Sequence, residues 1–296
     1  MRRSSFLVSL ALLAACATAE APEAPASGAF QSERISVVTR GSGPDVILIP
    51  GMTSHRDVWA TTADALDDTH RVHLVQVNGF AGAPAGANAE GAVSAPVAEE
   101  IARYIAEGDL ERPAVIGHSM GGTIGMMLAA RHPDAVGKLM VVDMFPFMGA
   151  MFGGQTPDAV RPVADQIRSQ MLAAPPGSAG PMVEQMIANM TNTESARPTL
   201  VQHARDSNRT VVANAFHELI VTDLRPELAN IRAPVTVLYV IPPNAPITRE
   251  QYVGYMEMSY ATLPNKRIAL IENSYHFIMI DAFDRFMQEV NAFLAG

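Results

Sequence analysis

The sequence predicts an α/β protein: a mostly parallel, doubly wound sheet with helices on both faces and one helical insertion forming a cap. Three observations predict it. Short apolar runs alternate with longer helical patterns along most of the chain, as a parallel sheet and its crossover helices require. The alternation breaks once, over residues 144–230, where helical patterns are interrupted by Pro175-Pro176-Gly177 and Gly180-Pro181 and no good strand occurs. Apolar residues make up 48% of the 296 positions and charged residues only 17%, so a large core can be buried and general disorder is excluded.

The elements follow in order. An edge strand is expected at 35–39, ended by the turn residues Gly41-Ser42-Gly43-Pro44. Residues 46–49 form a short apolar run, as a strand buried on both faces should, and Pro50-Gly51 stops it. Asp57 is placed to cap a helix carrying Val58, Trp59, Ala63 and Leu66. A strand at 72–77 comes next, and 78–89, rich in Gly, Ala and Pro, reads as loop. A helix at 96–107, a strand at 114–116, a helix at 121–132 and a strand at 139–142 lead to the insertion. After it come a strand at 234–240, a helix at 249–262, a strand at 267–271 and an amphipathic helix at 281–294. An insertion between two strands of such a sheet sits over their carboxyl ends, where these sheets bind ligands.

Residues 1–19 read as an export signal outside the fold. Arg2 and Arg3 make a basic start, and the apolar run 6–15 is too short to span a bilayer. Two processing readings stand. Leu13-Ala14-Ala15-Cys16 resembles a lipobox, which would place a lipid on Cys16; Ala17-Thr18-Ala19 fits ordinary cleavage. Either predicts an exported protein, lipid-anchored in a bacterial envelope or periplasmic or secreted, with a lipid on Cys16 as its only membrane contact. Residues 20–32 read as a linker, which leaves 33–296 as the folded domain. A formal charge of −9 without a basic run excludes nucleic acid as a partner. Cys16 is the single cysteine, so no internal disulfide forms. The eight histidines make no H-x-H, H-E-x-x-H or Cys/His cluster, so neither a metal nor a cofactor is expected.

The chemistry is carried by Gly117-His118-Ser119-Met120-Gly121-Gly122, between a predicted strand and a predicted helix. A nucleophilic serine raised on a tight turn needs glycines on either side, because side chains there would clash. The following helix points its N-terminal N–H groups at the place where negative charge develops. At this point the chain from about residue 33 onward resembles the α/β-hydrolase superfamily. "VILIPGMTSHRDVW" looks like its oxyanion segment, "VIGHSMGG" its nucleophile elbow, "YHFIMIDAFDRF" its terminal histidine segment, and "TDLRPELANIRAPVTVLYV" the return from the cap to the sheet.

The resemblance implies Ser119 as nucleophile, His276 as base and the N–H groups of Met52 and Met120 as oxyanion donors. Where the family usually has His-Gly before the first donor, this chain has Pro50-Gly51. The acid departs from the pattern. The family places Asp after the strand that is here 234–240, but the chain reads Pro242-Pro243-Asn244-Ala245-Pro246, with Ala245 at the expected position. Asp143 is the best alternative, since some relatives carry the acid at the end of the strand after the nucleophile helix; Asn244 as a neutral orienter, a more distant third member and a site with no third member are the others. Glu272, though near His276, is expected to point along a strand end. His118 supports the elbow or lines the substrate pocket. Phe145 and Met148 are also expected in that pocket, and the methionines at 151, 171, 182, 186 and 190 suggest an apolar pocket under a mobile lid or a Met-rich cap core.

The function implied is hydrolysis of a small or apolar acyl or aryl ester through an acyl-enzyme. The same site could serve a thioesterase, amidase, lactonase, acyltransferase or C–C hydrolase. A dehalogenase or epoxide hydrolase would need Asp at position 119. The reading from another class is a non-catalytic envelope lipoprotein that binds an apolar ligand.

Overall fold

A computed structural model describes residues 30–175, 180–243 and 245–296. The expected export signal, Cys16 and Asn244 lie outside the described residues. Seven strands form one sheet in the order β1-β3-β2-β4-β5-β6-β7. They are β1 (Ile35–Arg40), β2 (Asp45–Ile49), β3 (Arg71–Val77), β4 (Ala114–His118), β5 (Lys138–Val142), β6 (Val235–Tyr239) and β7 (Lys266–Leu270). Only β1 is antiparallel, paired with β3 at the edge.

The register aligns the strand ends. Ile49 pairs with Gly117, His118 with Val142, Val142 with Leu238, and Tyr239 with Leu270. The turns that leave β2, β4, β5, β6 and β7 therefore emerge from one edge. The chain winds outward from β2 to β3 and then the other way from β4, so the two central strands flank a topological switch point, where such sheets bind ligands.

Alternation along the strands feeds two cores. Ile47, Ile49 and Val115 face a cluster closed by Val97 and Ile101 of α2 (Ser94–Glu107) and by Ile124, Met127 and Leu128 of α3 (Met120–Arg131). Val46, Leu48 and Ile116 face the other side, covered by α1 (Ala60–Leu66) and by Phe286, Val290 and Phe293 of the last helix. Those three recur at helical spacing, which is why that stretch folds as a helix with one buried stripe. The nucleophile helix α3 is instead buried all round, from Met120 to Ala130.

The insertion holds α4 (Pro157–Ala173), α5 (Gly180–Met190), α6 (Arg197–Asp206) and α7 (Arg209–Val221). It has a small core of its own, made by Phe147, Val160, Ala164 and Ile220. It is joined to the sheet layer by Glu218 of α7, whose buried carboxylate accepts the N–H groups of Val93, Ser94 and Ala95 at 2.7, 2.6 and 2.9 Å. Those are unpaired donors at the start of α2, which a carboxylate satisfies well. The chain then adds α8 (Arg249–Ser259), a short α9 (Ile278–Asp281) and α10 (Phe283–Ala295).

Two expectations need correction. The first turn after β2 is capped by His55, whose Nδ1 accepts the Asp57 N–H at 3.2 Å, because that turn starts at Arg56 and leaves Asp57 inside it. The final helix starts at Phe283; Asp281 closes the short α9 instead, with its carboxylate turned back toward the cap.

Candidate active site

The elbow forms where β4 runs into α3. Ser119 has φ 53° and ψ −121°, a conformation an L side chain adopts only under strain. A Cβ on Gly117 would lie 2.1 Å from the Gly121 carbonyl oxygen, and one on Gly121 would lie 2.2 Å from that of Ile49. Only glycine permits the approach of α3 to β4 and β2. The turn after β2 packs just as closely, since a Cβ on Gly51 would stand 3.1 Å from Ser119 Cβ and 3.0 Å from His118 Nδ1. Pro50, in place of a histidine, meets the elbow through its main-chain carbonyl oxygen, 2.8 Å from where a Cβ on Gly121 would stand.

Two main-chain donors lie in the turns that meet here. Met120 N–H is the first of α3 and has no partner within the helix, and Met52 N–H follows the pressed Gly51. Among the described residues neither donates to a protein acceptor. An anionic oxygen beside Ser119 would supply one.

His276 follows β7 by a short loop. Its Nδ1 lies 2.6 Å from Asp143 Oδ2, and both side chains are largely shielded from solvent. Asp143 sits just past β5 with φ 52°, another strained position. Its N–H donates to Leu238 O at 2.7 Å, and its Oδ1 accepts Val240 N–H at 3.0 Å. The carboxylate therefore reaches across the end of β6 and occupies the donor beside the loop where the family's usual acid would stand. Adjacency of β5 and β6 makes this possible. Glu272 pairs with Arg249 and takes no part.

His118 differs from the expectation that it lines the pocket. The residue is 1% exposed, its ring packed against Trp59, Phe277 and His276. Its Nε2–H donates to the His276 carbonyl at 3.0 Å, which fixes the tautomer and leaves Nδ1 without a partner among the described residues. Burial, with the neighbouring His276 adding to it, holds this imidazole well below its ordinary pKa. A neutral His118 matters because the two rings lie only 4.5 Å apart. The positive charge that His276 gains on taking a proton then meets no second cation.

Phe145 is half-buried against Tyr252 and Tyr255, with ring centroids 6.2 and 5.3 Å away. Tyr239 stacks on Tyr252 at 6.1 Å. Burial, together with the charge of Asp143, raises the Tyr252 phenol well above its usual value, so it stays neutral. Met148 lies between the main core and the small cap core. Three of the five cap methionines point elsewhere: Met151, Met182 and Met186 are exposed, at 64%, 70% and 37%. Met182 and Met186 lie off the buried position of α5, which is Ile187, and Met151 is exposed on the turn before α4, so these three build neither a Met-rich pocket nor a Met-rich cap core. His55 packs on His203 of the cap, with centroids 5.7 Å apart, and its N–H reaches His203 Nδ1 at 3.4 Å.

Residues that the sequence reading passed over also shape the site. Tyr239, Tyr252 and Tyr255 join the Phe145 cluster from β6 and α8. The aromatic content of α8 was the available signal.

Comparison with known proteins bears on the family and the fold. A family model described as the alpha/beta hydrolase fold matches residues 44–283. A pimeloyl-[acyl-carrier protein] methyl ester esterase of Vibrio cholerae is 29% identical over 207 residues, which are 67% of this chain and 76% of the relative. One of Aliivibrio fischeri is 26% identical over 265 residues, covering 86% of this chain and 95% of the relative. Among solved structures, an esterase from Exiguobacterium antarcticum superposes with a TM-score of 0.73 at 18% identity, over 88% of this chain and 96% of that one. An enol-lactonase from Burkholderia xenovorans gives 0.71 at 17% identity, over 88% and 96%. At such identities these structures speak for the fold alone.

Proposed function

Since the chain belongs to the alpha/beta hydrolase fold family, we propose that it cleaves small, apolar carboxylic esters through an acyl-enzyme on Ser119. Its relatives are esterases, and it is a carboxylic-ester hydrolase. The observation that carries the mechanism is the 2.6 Å contact between His276 Nδ1 and Asp143. A carboxylate there holds the proton on Nδ1, so Nε2 presents a lone pair to take the Ser119 proton. The serine oxygen attacks the ester carbonyl, and the oxyanion is held by Met52 and Met120 N–H. His276 returns the proton to the leaving alcohol. Water then attacks the acyl-enzyme by the same route, releasing the acid and restoring Ser119.

The half-buried Phe145 cluster supports an apolar acyl or aryl group. That the relatives' names specify methyl esters supports a small alcohol. The N-terminal sequence supports export, with Cys16 as the point of lipid attachment. The reading as a non-catalytic ligand-binding lipoprotein has no such geometry in its favour.

A series of p-nitrophenyl and methyl esters of increasing acyl length tests the proposal, with a fluorophosphonate to label the nucleophile. Turnover should fall steeply beyond a short or medium acyl chain, and Ser119→Ala should lose both turnover and label. Folded wild-type protein that takes no label on Ser119 would refute the enzymatic reading.

A further inference from the structure

Asp281 stands at the end of α9, and no step of the proposed chemistry uses it. Its carboxylate nevertheless accepts five hydrogen bonds. Oδ1 takes Thr191 Oγ1 at 2.5 Å, Thr193 Oγ1 at 2.8 Å and Thr193 N–H at 3.1 Å. Oδ2 takes Tyr275 N–H at 3.0 Å and Asn192 N–H at 3.2 Å. Four of these donors belong to the cap segment between α5 and α6. The fifth is the residue immediately before His276.

The same two segments meet twice more. Phe277 N–H donates to Met190 O at 3.1 Å, and Asn192 Nδ2 donates to Asn273 O at 3.0 Å. Positions 273, 275 and 277 of the histidine loop are thus each tied to the cap segment, directly or through Asp281. His276 itself is tied on its other side, where its carbonyl accepts the His118 ring. Thr191 is fully buried, so its hydroxyl has no water to turn to.

We propose that Asp281 is a positioning residue that makes the cap part of the scaffold of the base. It holds Thr191–Thr193 and the histidine loop in one register, so that the imidazole faces Asp143 and Ser119 only while the cap is seated. The proposal rests on His276 being the base. Removing the carboxylate leaves the buried Thr191 hydroxyl and the Tyr275 N–H without their acceptor, while Thr193 N–H keeps a second acceptor in Thr191 Oγ1 at 3.2 Å and Asn192 is exposed; a buried donor does not stay unpaired. The cap segment must shift to find water, and it carries Phe277 and the histidine loop with it. A cap opening at this junction would displace the base, so substrate enters by movement of other parts of the insertion.

The test compares Asp281→Asn, which keeps the size but turns an amide donor toward donors, with Thr193→Val, which removes one cap hydroxyl and leaves the Tyr275 bond in place. Three quantities are read: kcat and KM on p-nitrophenyl acetate, the rate of Ser119 labelling by a small fluorophosphonate, and hydrogen exchange over residues 188–194 and 273–278. A displacement near 1 Å costs on the order of a hundredfold in rate. Asp281→Asn should therefore lower kcat and labelling by about tenfold to a hundredfold with little change in KM, and both segments should exchange faster. Thr193→Val should alter kcat by less than about threefold, as suits loss of one of several bonds.

Wild-type kcat in Asp281→Asn would overturn the proposal. So would a loss confined to KM, or faster exchange in the cap segment with 273–278 still protected. Thermal melts confirm that each variant is folded. If Asp281→Asn does not fold, Thr191→Val with Thr193→Val strips the cap-side hydroxyls while keeping the carboxylate, and should reproduce the faster exchange of 188–194 together with a smaller fall in kcat; no change in either would equally refute the idea. Failure of the parent reading is distinguishable, because then His276→Ala would leave wild-type turnover intact.

Discussion

Replacing Asp143 by Asn tests whether the acid has moved from the strand end after β6 to that after β5. Oδ2 lies 2.6 Å from His276 Nδ1 and Oδ1 lies 3.0 Å from Val240 N. An asparagine has one acceptor oxygen, and Val240 N–H, which can only donate, claims it. The amide NH2 then faces Nδ1 and forces the tautomer with its proton on Nε2. That nitrogen cannot accept the Ser119 proton. The wrong tautomer costs on the order of 10⁴-fold in kcat in the serine-protease case, or about 5.5 kcal/mol at 1.4 kcal/mol per tenfold. Because the Val240 bond survives, the fold should persist. The assay is kcat on p-nitrophenyl butyrate alongside a thermal melt, with Asp143→Ala as a second variant. Asp143→Asn should fall by about four orders of magnitude with KM nearly unchanged. A folded Asp143→Asn that keeps more than about a tenth of wild-type kcat would refute the reasoning. An acid supplied at the usual place, Ala245→Asp in the Asp143→Asn background, should restore part of the lost rate.

Other changes probe the surroundings of the site. Gly51→Ala puts a methyl 3.1 Å from Ser119 Cβ and 3.0 Å from His118 Nδ1; the turn must yield by a few tenths of an ångström, so kcat should fall with little loss of stability, and unchanged kcat would separate Met52 from the oxyanion role. Glu218→Gln gives up a charged acceptor shared by three N–H groups; the loss should be about 2–4 kcal/mol, seen as a melting temperature lower by roughly 5 °C or more. The pH dependence of stability follows from His118, His203 and His73, whose pKa values burial depresses in the folded state. The unfolded chain binds their protons near pH 6.5, so stability is complete above that pH and declines as pH falls below it, by up to about 1.4 kcal/mol per pH unit for each group. Urea midpoints at pH 7.5, 6 and 5 measure this, and His118→Gln should flatten the slope.

How much of this was legible in the sequence depends on what carried each signal. The elbow was legible because its glycines, the strand before it and the helix after it are all local. The mostly parallel sheet was legible in outline, since strands and helices alternate along the chain, whereas the strand order was not. Asp143 was legible only through the empty place at Ala245. Its contact with His276 depends on β5 lying directly beside β6, which no residue pattern states. His118 reads the same whether it faces a pocket or a core; burial under Trp59 and Phe277 decides, and both come from other segments. The cap methionines misled because the phase of α5 is set by Ile187, one apolar residue among several at helical spacing.

The positions least visible in the sequence share one feature. Asp143, Glu218 and Asp281 each accept a main-chain N–H from an element that is distant in the chain: Val240 in the first case, the start of α2 in the second, and residues 192 and 193 in the third. A main-chain donor has no residue identity, so the partner leaves no mark in the sequence and only the carboxylate can be seen. Two of these joints, the cap to α2 and the cap to the histidine loop, lie between parts that hydrophobic packing alone would hold loosely, and the third extends the β5–β6 ladder past its last paired residues. Apolar contact is non-directional, whereas a carboxylate with two or more N–H donors fixes both distance and angle. The sheet and its two cores thus bring Ser119, His276 and Asp143 to one edge, and the carboxylates set how those side chains meet. Substitutions in the cores and at Glu218 should accordingly act mainly on stability, and substitutions at Asp143 and Asp281 mainly on rate.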